Sequence, residues 1–225
     1  PGPSNTGVPA GTVLTNTGSV TTTQAGQVIS AVNTGRIDVR HPNVIVRKSK
    51  FVDLRAHDGD ATGLLVEDCE CVGGGHNSGL SLLTSHSGIV RRCNIHGVEN
   101  AMWLEANGMQ IRDNWMHDAA APGNPDPHYD GLQIDNARDM IVEHNNFDYG
   151  TGGQSSSITT MRVANLDIRN NRIDGGTYTI YLQSSSGCKV TGNTFLSFTY
   201  GWVVDDSNST FSGNVDKDGK PLALP

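Results

Sequence analysis

Hydrophobic and polar positions along this chain follow a short pattern that recurs eight times. In each copy an aliphatic or aromatic residue is followed by two mostly polar residues and then by Asn, Ser or Cys, as in Ile111-Arg112-Asp113-Asn114. The eight apolar anchors are Val46, Val66, Val90, Ile111, Val142, Ile168, Val190 and Phe211. Consecutive anchors are separated by 20, 24, 21, 31, 26, 22 and 21 residues. A period of this length is typical of a solenoid in which each copy is one unit.

Within each copy apolar and polar positions alternate, which is the period of a β-strand. A second short strand precedes most later copies. Its inward-facing pairs are predicted to be Leu80/Leu82, Met102/Leu104, Leu132/Ile134, Ile180/Leu182 and Trp202/Val204. We therefore predict an all-β fold, a single-stranded right-handed parallel β-helix of about eight or nine coils. An antiparallel sandwich, the alternative, would not keep one side chain at the same phase through eight copies.

The polar residue that ends each copy predicts a buried column. Because coils stack like residue over like, an asparagine ladder is expected at a tight turn, formed by Asn114, Asn145, Asn171, Asn193 and Asn214. Asparagine tolerates a left-handed backbone, and its amide can hydrogen-bond to the coils above and below. The charged residues just before this column mostly alternate in sign, so we interpret them as a solvated face that is paired between coils.

The chain of 225 residues is long enough for one sizeable domain. We divide it into an N-terminal cap region (1–26), the coils (27–215) and a C-terminal tail (216–225). The 16 Lys and Arg residues against 23 Asp and Glu give a net charge of −7. This balance argues against a nucleic-acid partner, and no apolar run is long enough for membrane insertion. The cysteines have no metal-binding spacing and are expected to be free thiols in the core: Cys69, Cys71, Cys93 and Cys188.

The longest interval in the repeat marks where chemistry is expected. The 31 residues between Ile111 and Val142 contain a loop, 117–130, that returns into a strand at 131–135. Long loops on a rigid scaffold often carry recognition or catalysis. An imidazole with nearby carboxylates can transfer protons near neutral pH. The candidate catalytic residues are therefore His128, Asp130, Asp126, Asp135 and His117.

Outward-facing positions beside this loop predict a sugar-binding groove, because aromatic rings stack on sugars while amides and carboxylates bond hydroxyls. The candidate substrate-binding residues are Trp103, Gln133, Tyr181, Glu105, Tyr129 and Arg162. Two carboxylates flanking a glycosidic oxygen would instead indicate hydrolysis, with Asp130 and either Asp135 or Glu105 as the pair. We predict no metal site and no cofactor. Asp58-Gly59-Asp60 offers two carboxylates to calcium but lacks further oxygen ligands, so we interpret it as a solvated turn.

Over roughly residues 27–215 the coil pattern resembles the pectate-lyase-like right-handed parallel β-helix superfamily. The opening stretch, 1–12, is similar to the start of β-helix proteins from actinobacteria and of tail proteins from their phages. Many superfamily members bind or cleave polysaccharides, including phage tailspikes that grip host surface glycans. Asp126-Pro127-His128 is also similar to the Asp-Pro-His tripeptide of mannuronan C5-epimerases and related lyases. That resemblance would make His128 the proton-transfer residue and Asp126 its partner.

Two classes of function follow. The first, which we favour, is recognition of a polysaccharide or cell-surface glycan by a phage tail, cell-surface or secreted protein. It implies an extracellular or virion-associated location and, for a phage tail protein, a homotrimer. The second is a polysaccharide lyase, C5-epimerase or glycoside hydrolase that acts through the 117–135 loop. No signal peptide pattern opens the chain, and the net charge of −7 argues against a polyanionic substrate.

Overall fold

The computed structural model of the chain describes residues 1–74, 78–119, 129–150, 155–205 and 208–223, which form strands and turns. Within these ranges there is no helix of the length and apolar character needed to cross a membrane. The strands are β1 Thr15–Asn16, β2 Val20–Thr21, β3 Val28–Ser30, β4 Val32–Asp38, β5 Ile45–Arg47, β6 Lys50–Ala56, β7 Leu65–Glu67, β8 Glu70–Val72, β9 Leu80–Leu82, β10 Ile89–Arg91, β11 Asn94–His96, β12 Asn100–Leu104, β13 Gln110–Arg112, β14 Trp115–His117, β15 Asp130–Asp135, β16 Arg138–Glu143, β17 Asn146–Asp148, β18 Ser156–Met161, β19 Ala164–Arg169, β20 Arg172–Asp174, β21 Tyr178–Gln183, β22 Lys189–Thr191, β23 Thr194–Phe195, β24 Gly201–Asp205, β25 Thr210–Ser212 and β26 Val215–Asp216.

These strands stack into three parallel sheets that run along a common axis. Sheet A contains nine strands: β3, β5, β7, β10, β13, β16, β19, β22 and β25. Sheet B follows it around each coil and runs from β1 through β8, β11, β14, β17, β20 and β23 to β26. Sheet C completes the coil and runs from β2 through β9, β12, β15, β18 and β21 to β24. The long strands β4 and β6 continue around the corner and pair in both sheets B and C.

The predicted repeat is confirmed by the pairing of the strands. The eight anchors are register partners across sheet A, each directly beside the next. All of them except Phe211 are buried. In sheet B the apolar residues from Phe51 to Phe195 stack in the same way and are also buried. One continuous apolar core therefore fills the interior of the solenoid.

The count of coils and one strand phase differ from the prediction. About seven complete turns run from β5 to β24, rather than eight or nine. The coils at the two ends are less complete, because β3 and β25 each pair on one side only. In β24 the inward residue is Val203 and not Val204, since Val203 pairs with Ile180 while Val204 pairs with Tyr181. Trp202 packs at the corner against Phe195 and Phe211 with ring centroids 5.1 and 5.4 Å away.

At the turn from sheet A to sheet B, the five asparagines of the repeat are buried and hydrogen-bonded to one another. The backbone and side-chain amides of Asn114 both donate to Asn145 Oδ1 at 3.0 Å, and this arrangement repeats through Asn171 and Asn193 to Asn214. The sequence predicted that the asparagine would have the left-handed backbone conformation. Instead, the residue before it does, such as Asp113 with φ of 56°. The asparagine therefore serves as a hydrogen-bonding group and not as the conformational hinge.

The four cysteines are buried free thiols, as predicted. Burial raises the pKa of Cys69, Cys71 and Cys188, so these thiols stay protonated at neutral pH. They pack as small apolar residues of the core.

Candidate functional site

The outer face of sheet C carries one outward residue per coil in a straight row. Arg55 pairs with Ser81, Ser81 with Trp103, and Trp103 with Gln133. The row continues from Gln133 to Thr159 and then to Tyr181. We call Arg55, Ser81, Trp103, Gln133, Thr159 and Tyr181 the sheet C row. It follows the axis of the solenoid, so successive side chains are about 4.8 Å apart.

An open cleft of about 320 Å³ lies over the first four members of this row. The described residues that line it are Arg55, His57, Ser78, Ser81, Glu99, Asn100, Trp103 and Gln133. Glu99 directly precedes β12, Asn100 is the first residue of β12, and His57 follows β6. The cleft thus combines one aromatic side chain with several hydrogen-bonding groups, which is the composition of a site for a polar ligand.

A chain of hydrogen bonds holds the polar side chains on one side of the cleft. Asn100 Nδ2 donates to Gln133 Oε1 at 2.9 Å, and Gln133 Nε2 donates to Asp135 Oδ2 at 2.8 Å. The backbone N–H of Asp130 donates to Asn100 Oδ1 at 3.1 Å. Ser156 Oγ donates to the buried Asp130 carboxylate at 2.5 Å. Each side chain is therefore oriented before any ligand arrives.

At the end of the cleft that Arg55 lines, charged side chains contact one another. Asp53 is 4% exposed and accepts hydrogen bonds at 3.0 Å from Nε of both Arg36 and Arg55. The bond to Asp53 raises the pKa of Arg36. His57 Nε2 lies 2.6 Å from Ser81 Oγ. Arg55, Ser81 and His57 thus lie together at one end of the cleft.

Two buried polar atoms near the cleft have no hydrogen-bond partner among the described residues. They are Trp103 Nε1 and the hydroxyl of Tyr129. Tyr129 is 4% exposed, and burial raises the pKa of its phenol, with a further contribution from the Glu99 carboxylate. Unpaired buried donors are uncommon in folded proteins, and each calls for an explanation such as a catalytic role or a bound water or ion.

The candidate residues from the sequence separate into four groups. Trp103 and Gln133 line the cleft, and Tyr181 lies farther along the sheet C row. Tyr129, Asp130 and Asp135 lie beside the cleft or support its lining through the contacts given above. His128 and Asp126 lie outside the described residues. The remaining three candidates, Glu105, Arg162 and His117, do not line the cleft.

Those three residues have other surroundings. Glu105 follows β12, and its backbone N–H donates to Leu82 O at 3.2 Å. Arg162 lies at the exposed turn after β18, where its Nε donates to Asn136 Oδ1 at 2.7 Å. His117 belongs to sheet B, so its side chain faces a different side of the solenoid.

His117 is part of an aromatic stack on sheet B. Its ring lies 3.7 Å from that of Trp115 and 4.9 Å from that of His96, measured between centroids. Its Nδ1 is 2.7 Å from Asp118 Oδ2, and its Nε2 is 2.8 Å from Asn94 Oδ1. Burial lowers the pKa of His117, although the Asp118 contact opposes this effect.

Sequence reasoning missed most of the residues that line the cleft, among them Arg55, His57 and Glu99. Arg55 lies between the inward residues Leu54 and Ala56, and this alternation would have placed it on the sheet C row. It was overlooked because β6 continues around the corner, so that coil has no separate third strand. His57 and Glu99 lie in connections between strands, where no periodicity indicates the direction of a side chain.

Comparisons with known proteins agree with the fold. The family described as the right-handed beta helix region matches residues 56–216. Among solved structures, an alginate lyase from Paenibacillus sp. str. FPU-7 superimposes with a TM-score of 0.51 at 13% identity, covering 91% of this chain and 97% of the lyase. A candidate glycosyl hydrolase from Parabacteroides merdae gives a TM-score of 0.45 at 14% identity, covering 84% and 80% of the two chains. None of the curated proteins in the comparison matches the chain.

Proposed function

Because this chain belongs to the right-handed β-helix family, whose sheets offer long flat outer faces, we propose that it binds a polysaccharide along the outer face of sheet C. The observation that carries the proposal is the cleft at Trp103, where an aromatic ring lies among preoriented amide, hydroxyl and imidazole groups. Aromatic rings stack on the apolar faces of sugars, while amides and hydroxyls bond to sugar hydroxyl groups.

The direction of the sheet C row supports an extended ligand. Trp103 and Tyr181 are separated by three strand spacings, or about 14 Å along the axis. Gln133 and Thr159 lie between them and offer hydrogen-bonding groups. A polysaccharide lying parallel to the axis would therefore contact both aromatic residues and the polar residues between them.

The charges of the cleft support a ligand that is neutral or weakly charged. Its lining includes one guanidinium, Arg55, and one carboxylate, Glu99. The charge of Arg55 is further offset by its contact with Asp53 at 3.0 Å. The chain as a whole carries a net charge of −7, which would repel a polyanion at long range. Such ligands are found on cell surfaces, so we propose an extracellular or virion-associated location. If the chain belongs to a phage tail protein, that protein would be a homotrimer.

The test is retention on a panel of immobilised polysaccharides, followed by affinity measurement on those that bind. Replacing Trp103 with Ala should weaken binding about fivefold, since stacking of one aromatic ring contributes on the order of 1 kcal/mol. Trp115→Ala is the matched control, because Trp115 is half-buried on sheet B and does not line the cleft. No retention on any polysaccharide, or equal affinity of the wild type and the Trp103 variant, would contradict the proposal.

A second candidate function is cleavage or epimerisation of the polysaccharide through the 117–135 loop. It is favoured by the buried Tyr129 hydroxyl, which has no partner among the described residues and lies where the loop returns to β15. Incubation with the bound polysaccharide separates the two functions. New reducing ends, an unsaturated product seen by ultraviolet absorbance, or inverted sugar configuration seen by NMR would indicate an enzyme. Retention without any product would indicate a binding domain.

A further inference from the structure

Ser81 and His57 are hydrogen-bonded to each other, as a hydroxyl nucleophile is to its general base. His57 Nε2 lies 2.6 Å from Ser81 Oγ, within the distance over which a proton is transferred directly. Ser81 lies in β9 on the sheet C row, while His57 follows β6 in the preceding coil and is exposed. This contact joins a turn residue to an outward-facing strand residue. The stacking of the coils therefore does not require it.

The positively charged side chain of Arg55 lies directly beside this pair. Arg55 is the register partner of Ser81 on the neighbouring strand, so the two residues are about 4.8 Å apart along the axis. Within the described ranges the guanidinium of Arg55 forms hydrogen bonds through Nε alone, to the buried carboxylate of Asp53. Asp53 therefore fixes the guanidinium, and its terminal nitrogens remain available to a ligand. A fixed cation next to a nucleophile can stabilise the oxyanion that forms when an ester is attacked.

We propose that Ser81, His57 and Arg55 form an ester-hydrolysing site that removes acetyl or similar small acyl groups from a glycan in the cleft. The inference rests on the proposed function, because the glycan bound at Trp103 is what brings the ester to Ser81. Trp103 is the other register partner of Ser81, so a sugar stacked on that ring would place its acylated hydroxyl next to Ser81. The ligand class is therefore an O-acylated polysaccharide.

The reaction is balanced with water as the only co-reactant. Ser81 Oγ forms a bond to the carbonyl carbon as its proton passes to His57 Nε2, and the carbonyl oxygen becomes an oxyanion beside Arg55. The carbon–oxygen bond to the sugar then breaks, and the sugar oxygen takes the proton from His57. Water attacks the acyl-serine in the same way, which releases the carboxylic acid and restores Ser81.

The first experiment treats the whole chain with a fluorophosphonate, which reacts with activated serines, and maps the adduct by peptide mass spectrometry. The proposal predicts an adduct on Ser81. The second measures release of acetate from an O-acetylated polysaccharide and hydrolysis of a small aryl acetate. Ser81→Ala and His57→Ala should each lower both rates about 100-fold or more. Thermal unfolding of each variant shows whether the fold is retained.

Matched controls come from residues outside the cleft. Ser212→Ala replaces an exposed serine of sheet A, and His86→Ala replaces an exposed histidine that accepts a hydrogen bond from the Asn107 N–H. Both variants should keep the wild-type rates. Absence of an adduct on Ser81 in the wild type, or unchanged hydrolysis in Ser81→Ala, would overturn the ester-hydrolysing site.

Failure of this site and failure of glycan binding give different results. Retention on a polysaccharide without a Ser81 adduct or ester hydrolysis would refute the ester-hydrolysing site alone. Hydrolysis of the aryl acetate through Ser81 without retention on any polysaccharide would refute glycan binding alone. When both hold, Trp103→Ala should lower kcat/KM for the acetylated polysaccharide, whereas the control variant Ser212→Ala should leave it unchanged.

Discussion

At the residue scale, each asparagine at the turn from sheet A to sheet B satisfies polar groups in two neighbouring coils. Asn171 donates from Nδ2 to Val142 O at 2.9 Å and accepts the backbone N–H of Asn145 at 2.8 Å. It also bonds to Asn193 through both of its amides. These groups are buried, so removing the side chain would leave backbone donors and acceptors without a partner.

Replacing Asn171 with Leu should lower the free energy of unfolding by about 1–3 kcal/mol, the cost of unsatisfied buried polar groups. The same change at Asn214 should cost less. Asn214 accepts from Asn193 and donates to Val190 O, but it has no following asparagine to bond. Urea unfolding of the two variants measures the difference. Equal losses would show that the position within the solenoid does not matter.

The charged positions of the sheets are paired between coils, and Glu143 is the clearest case. Arg169 Nε donates to its Oε1 at 2.9 Å, and this bond lowers the pKa of Glu143 below its ordinary value of 4.5. A carboxyl group whose pKa is lower in the folded state stabilises the fold above its unfolded pKa. That stabilisation is lost as the pH falls through the folded-state value.

Glu143→Gln should therefore lower the free energy of unfolding at neutral pH, and the difference from the wild type should shrink as the pH falls below 4.5. The effect is expected to be small, because the Glu143 side chain is 25% exposed and its partner is 34% exposed. Urea unfolding at a series of pH values tests this. A difference that stays constant across the series would mean that the charge of Glu143 is not its cause.

At the scale of elements, β15 begins in a crowded part of the solenoid. Gly131, the second residue of β15, has no space for a side chain. A Cβ there would lie 2.4 Å from Ser157 O and 2.8 Å from the Phe147 ring. The return of the long loop into sheet C therefore depends on a glycine at this position.

Gly131→Ala should push β15 away from β18 and lower the free energy of unfolding by about 1–3 kcal/mol, as overpacking in a core does. Since Asp130 precedes this residue and Gln133 lies two residues after it, binding at the cleft should weaken as well. Gly18→Ala is the matched control, because no atom lies within 4 Å of a Cβ at Gly18. Thermal unfolding and polysaccharide affinity are the two measurements. A variant as stable as the control would contradict the steric argument.

At the scale of the whole molecule, the stacking of coils converts a repeat in sequence into a straight surface. The sheet C row extends from Arg55 to Tyr181, and its aromatic members Trp103 and Tyr181 are about 14 Å apart. Tyr181 contacts the ring of Tyr178 edge-on with centroids 5.5 Å apart, and Tyr178 in turn contacts Tyr200. A ligand must be long to reach both aromatic positions.

Tyr181→Ala should weaken the binding of long oligosaccharides about fivefold, since it removes one stacking contact, and leave short ones unaffected. Trp103→Ala should weaken the binding of both. Calorimetric titration with oligosaccharides of increasing length tests this difference. An equal loss for short and long ligands in the Tyr181 variant would place the ligand elsewhere than along the sheet C row.

The sequence predicted the parts of the molecule that repeat. The anchors from Val46 to Phe211 lie in register, because parallel stacking places equivalent residues of each coil side by side. Trp103, Gln133 and Tyr181 were placed correctly on one outer face for the same reason. Where the repeat is interrupted, prediction was weaker. The phase of Val203 and Val204 was wrong in the last complete coil, whose edge is unpaired.

The fold and the composition of its core were thus determined by the sequence alone, because a period-two pattern repeated eight times permits one stacking. Only the tertiary structure decided which polar residues meet. His57 and Ser81 are 24 residues apart, and their contact depends on how a turn crosses from one coil to the next. Arg55 is oriented by Asp53, and His117 was separated from the cleft by a corner between two sheets. Connections between strands have no periodicity, so the directions of their side chains follow from packing in three dimensions.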